Sequence, residues 1–160
     1  MHFQFWRLMI DNVTSAAVYP ASNSSFVAAV NKTFGSMTSM ISAINAAGAA
    51  RFGSGWSWLV YNTTSKRLVV LSTANQDVPI MGTALGYTDL LLPVLAVDVW
   101  EHAYYLKYGP GRATYMNNWW KVVNWQQVEI NFLYVTNHKS RSDLNTVFNR
   151  ILGLSTNIRS

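Results

Sequence analysis

Asp98-Val99-Trp100-Glu101-His102-Ala103-Tyr104-Tyr105 decides how the remainder of the chain is read. It follows a run from Leu90 to Val97 that is apolar or small throughout, interrupted by Pro93 alone. Such a run is the pattern of a buried strand. Asp98 is therefore expected where that strand leaves the core, with His102 four residues further on. A carboxylate supplies charge and an imidazole a borderline-soft nitrogen, so the two can converge on one cation. Asp and His at this spacing are also an ordinary structural pair, and the spacing alone does not separate the two readings.

Working outward, other stretches have the same character. Phe52-Gly53-Ser54-Gly55-Trp56-Ser57-Trp58-Leu59 and Ser72-Thr73-Ala74-Asn75-Gln76-Asp77 precede the octet. Trp119-Trp120-Lys121-Val122-Val123-Asn124-Trp125 follows it, and His2-Phe3-Gln4-Phe5-Trp6 stands near the N-terminus. Together, in this order, these segments resemble the iron/manganese superoxide dismutases across about residues 2–130. The resemblance implies an α+β fold: a small three-stranded antiparallel sheet covered by helices, with the stub of an N-terminal helical hairpin.

By the same resemblance, the metal ligands are His2, Asp98 and His102, and the metal is manganese or iron, with manganese favoured. Gln76, in an Asn-Gln-Asp loop typical of the manganese type, is implied to hydrogen-bond metal-bound solvent. Trp56, Trp58 and Trp100 are implied to wall the site, a role compatible with core packing. Glu101 and Tyr105 are implied to lie at a two-fold interface, Glu101 reaching the ligand His of the other subunit. The implied activity is disproportionation of superoxide, in a homodimer or homotetramer. A further His ligand of the family has no counterpart in these residues, and His138 lies in an unmatched tail. The chain as written is therefore expected to hold metal weakly and to be impaired as a dismutase. The alternative is a non-catalytic, dismutase-like structural subunit, for example of a mitochondrial ribosome.

Composition agrees with a compact globule. Half of the 160 residues are hydrophobic and only 12% are charged, which excludes a disordered tail. No apolar run approaches the ~20 residues of a membrane span. The net charge of +5 is spread without a basic block, so a nucleic-acid partner is not expected, while a positive field favours a small anion such as superoxide. With no cysteine there is no disulfide framework, zinc knuckle or thiol chemistry. Asn-x-Ser/Thr sequons begin at Asn12, Asn23, Asn31 and Asn62 and are expected to be idle, because no secretory signal is visible. No targeting segment is visible either; the mitochondrial matrix or the cytoplasm is the expected compartment.

Three units are expected: 1–14 as the hairpin remnant, 15–136 as the main domain and 137–160 as a tail. His2, Phe5, Trp6 and Met9 form one stripe of a helix over residues 2–10. Asn23 or Ser24 should cap a helix running to Phe34, Gly35 should end it, and Ser36 should cap another reaching Ala50. Trp56–Tyr61 and Leu68–Ser72 read as a hairpin, and Thr73–Asp89 as a long loop. A helix is expected from Arg112, with Tyr115, Trp119 and Val122 on one face, then another over Gln126–Val135.

Overall fold

The computed structural model describes residues 8, 9 and 19–137. Helix α1 spans Ser25–Phe34; the Ser24 hydroxyl accepts from the Val27 amide at its start, and Gly35 (φ 83°) closes it. Ser36 caps α2, Met37–Ala50, in the same manner. Strands β1 (Gly55–Asn62), β2 (Arg67–Ala74) and β3 (Leu91–Asp98) follow and build one antiparallel sheet in the order β2-β1-β3. After β3 come a 3-10 turn over Glu101–Ala103, the short helix α3 (Tyr105–Tyr108), α4 (Arg112–Trp119) and α5 (Trp125–Asn137). The expected α+β architecture is thus present. Among the described residues no helix is long and apolar enough to cross a membrane.

The alternation of β1 sorts the sheet into two faces. Ser57, Leu59 and Tyr61 point toward the helices: the Ser57 hydroxyl donates to the Ile44 carbonyl of α2 at 2.8 Å, and Tyr61 meets Phe132 of α5 edge-on at 6.2 Å. Trp56, Trp58 and Val60 point the other way. Directly opposed residues share a face, so Thr73 and Asp98, both opposite Trp56, lie on that second face.

Pro93 is accommodated because β3 is an edge strand. The register steps from Leu59 opposite Leu95 to Val60 opposite Pro93, which makes Val94 the extra residue of a bulge. The Val94 carbonyl accepts from the buried Asn131 side-chain amide of α5 at 3.1 Å, and Gln127 donates to Asn131 in turn.

Several expectations change in detail. Leu8 and Met9 are not in a helix: Met9 forms an antiparallel bridge with Val123, and the Asn124 amide donates to the Leu8 carbonyl. Backbone pairing to a distant segment takes precedence there over the side-chain stripe. His2, Phe5 and Trp6, together with the tail from residue 138, lie outside the described residues. Strand β2 runs two residues further than expected, and the loop after it contains a 3-10 segment over Pro79–Leu85, broken at Gly82 (φ 57°). The helix from Arg112 ends at Trp119; Val122 belongs to a separate 3-10 turn, Trp120–Val122.

Candidate metal centre

Asp98 ends β3 and its side chain is 1% exposed. One carboxylate oxygen, Oδ1, accepts from the Trp100 amide at 2.9 Å, a local turn that fixes the carboxylate plane. The other, Oδ2, lies 3.2 Å from Nε2 of His102. His102 sits in the 3-10 turn, its side chain 52% exposed and its ring 5.7 Å from that of Trp100. A buried carboxylate is costly unless a positive or hydrogen-bonding group meets it. Here an imidazole nitrogen does so, and the two donors converge on one point.

That donor set is the kind that manganese or iron takes, one hard oxygen anion with one imidazole. Among the described residues no group of three or more His, Cys, Asp and Glu comes together, so the pair fits such a metal as part of a larger set. His2, the remaining expected ligand, lies outside the described residues.

The surroundings are aromatic. Trp56 is buried beside Asp98 in the strand register, with its ring 5.9 Å from that of Trp58. Trp100 is half-buried, and its indole N–H has no hydrogen-bond partner among the described residues. Tyr115, stacked on Tyr104 at 5.6 Å, has its phenol pushed far above the ordinary range, first by burial, then by the charge of Asp98, then by Tyr108. It remains a neutral phenol at all ordinary pH.

Gln76 is exposed in the turn after β2, at the same end of the sheet as Asp98. Two consecutive carbonyls of the entry to β1 tie these places together: Ser54 accepts from the Asn75 amide and Gly55 from the Val99 amide, both at 3.0 Å. Glu101 and Tyr105, which flank His102 in sequence, are exposed.

Two residues escape the sequence reading. Arg112, read there only as a helix start, donates to the carbonyls of Arg51 and Gly53 and to the Tyr104 hydroxyl, with its guanidinium over the Tyr104 ring. It thereby fastens the loop before β1 to the segment carrying His102. Thr73 accepts from Trp58 and donates to Asp77. A threonine in a strand and an arginine at a helix start carry no signal of such roles in sequence.

Comparison with known proteins now agrees with the geometry. Residues 22–131 match the family described as iron/manganese superoxide dismutases, C-terminal domain. The chain belongs to that family. It is 46% identical over 127 residues to manganese superoxide dismutase 1 of Leptolyngbya boryana, covering 79% of this chain and 47% of the relative. It is 42% identical over 141 residues to manganese superoxide dismutase 3 of the same organism, covering 88% and 54%. An iron superoxide dismutase of Tetrahymena pyriformis is 37% identical over 132 residues, covering 82% and 64%. The chain spans about half the length of the Leptolyngbya boryana relatives. The dismutase C-terminal domain match contains Asp98, His102, Gln76, Glu101 and the tryptophans around them.

Proposed function

We propose that this chain supplies the C-terminal part of a superoxide dismutase centre, with Asp98 and His102 as ligands, His2 as a third, and manganese as the metal ahead of iron. The observation that carries the reading is the convergence of buried Asp98 and His102 beside Trp56, inside the segment that matches the dismutase C-terminal domain. When loaded, such a centre supplies one-electron cycling between +3 and +2 states, which converts two superoxide ions and two protons into dioxygen and hydrogen peroxide. The residues of this chain do the remaining work. Asp98 brings a negative charge whose plane the Trp100 amide fixes. Trp56 and Trp100 exclude water from the carboxylate, strengthening its pull on a cation. Gln76 is the candidate for hydrogen-bonding metal-bound solvent through its side-chain amide, from a turn at the same end of the sheet. The net charge of +5 favours approach of an anion.

A structural subunit is the weaker reading. A scaffold gains nothing from a buried carboxylate that an apolar residue of similar volume could replace at no cost.

The surface beyond His102 supports a two-fold dimer. Phe52, Leu106 and Tyr105 are large, apolar and exposed, and Arg112 holds the loop of Phe52 against the segment leading into α3. An isologous contact would bury this patch together with Glu101 on both subunits.

The test is a superoxide-consumption assay on the chain joined to the N-terminal segment of the Leptolyngbya boryana relative, after loading with manganese or iron. Activity that disappears in Asp98→Ala is expected. A fusion that binds metal stoichiometrically and consumes no superoxide overturns the proposal.

A further inference from the structure

The turn that carries Gln76 is held by three hydrogen bonds. The Asp77 amide donates to the Ala74 carbonyl at 2.9 Å, closing a tight turn with Asn75 and Gln76 at its centre. Asn75 takes φ 47°, a left-handed conformation that asparagine tolerates better than most residues. Its amide is fastened to the Ser54 carbonyl. The third bond comes from Thr73: its hydroxyl donates to the Asp77 carbonyl at 2.7 Å while accepting from the Trp58 indole at 2.8 Å.

Thr73 and Trp58 are both buried. A hydroxyl that both accepts and donates has its rotor fixed from two sides, and consecutive bonds of this kind polarise one another. The chain Trp58–Thr73–Asp77 therefore runs from the aromatic face of the sheet to the residue after Gln76. Gly55 lets the strands approach closely enough for this: a Cβ there would stand 2.1 Å from the Thr73 carbonyl oxygen.

We propose that Thr73 is a positioning residue, whose hydroxyl transmits the fixed place of Trp58 to the turn presenting Gln76 at the Asp98 end of the sheet. The inference rests on the reading above in which Gln76 serves the metal centre. Valine at this position keeps the shape and loses both bonds, whereas serine keeps both.

Two-dimensional nuclear magnetic resonance of the metal-free full chain reads the effect without any activity. In Thr73→Val the Trp58 indole N–H should shift out of its hydrogen-bonded position. The Asn75 and Asp77 amides, both hydrogen-bonded in the turn, should exchange about 5- to 10-fold faster, the range one net hydrogen bond supports. Thr73→Ser should restore both. Should Thr73→Val fail to fold, Trp58→Phe, which frees the hydroxyl from one side, is expected to loosen the same two amides. Unchanged exchange at Asn75 and Asp77 in the folded variant overturns the proposal. In the metal-loaded fusion, Thr73→Val added to Gln76→Ala should lower turnover no further than Gln76→Ala alone; additive losses also overturn it. A Gln76→Ala fusion with unchanged turnover would instead defeat the assignment of Gln76, while the amide measurement still decides the role of Thr73.

Discussion

Asp98 Oδ2 and His102 Nε2 are 3.2 Å apart although the two side chains differ in exposure from 1% to 52%. The sheet buries the carboxylate, and the 3-10 turn brings the imidazole back over it from the solvent side. The pair is thus rigid on one side and accessible on the other, as suits a ligand pair loaded from solution.

Asp98→Asn keeps the shape of the side chain and removes its charge. The substitution should lower manganese or iron affinity by at least the ~10- to 100-fold that loss of a ligand's hydrogen-bonded neighbour costs. Metal-free stability should stay equal or rise, because a buried charge is removed. Metal titration followed by thermal unfolding measures both. Unchanged affinity would exclude Asp98 as a ligand.

Leu106→Glu and Phe52→Ser each strike the exposed apolar patch without touching the core. If that patch is the dimer contact, either should weaken self-association by about 30-fold or more, the scale of a central interface residue. Sedimentation velocity across a concentration series reads this directly. A variant that sediments as the parent does would place the contact elsewhere.

Asn131→Leu leaves the Val94 carbonyl at the bulge without its side-chain donor. An unsatisfied buried acceptor costs about 1–3 kcal/mol, and a leucine at this buried position supplies no donor to offset it. Urea unfolding should show a lower midpoint with an unchanged slope. An unchanged midpoint would mean that water reaches the bulge.

Asp89 is held below the usual carboxylate range by hydrogen bonds from Asn62 and then Thr64, against a smaller opposing effect of burial. A depressed folded pKa contributes stability that is present above the unfolded pKa of about 3.9 and is lost as pH falls through the folded value. Asp89→Asn should therefore melt below the parent at neutral pH, with the gap closing below about pH 4. A gap that stays constant down to the acid limit would rule out this linkage.

Much of this protein is decided locally. Ser24, Gly35 and Ser36 mark helix ends because their side chains or backbone freedom act within a few residues. The alternation of Trp56–Tyr61 and the apolar run to Val97 specify strands for the same reason, and the octet from Asp98 to Tyr105 reveals the family and the pair proposed as ligands. Other features depend on register and long-range approach, which no local pattern encodes. That Thr73, Trp56 and Asp98 share one row follows from strand pairing, where a slip of one residue would turn each side chain to the opposite face. The Val94 carbonyl at the bulge finds a donor because α5 brings Asn131 to it, and Arg112 becomes a clamp only when the loop of Arg51 and Gly53 folds against it. At Met9 the helical stripe gives way to a bridge with Val123, more than a hundred residues away in sequence, since backbone groups there find their partners across the fold. Sequence determined which residues could do chemistry; strand register and loop contacts decided which of them stand together.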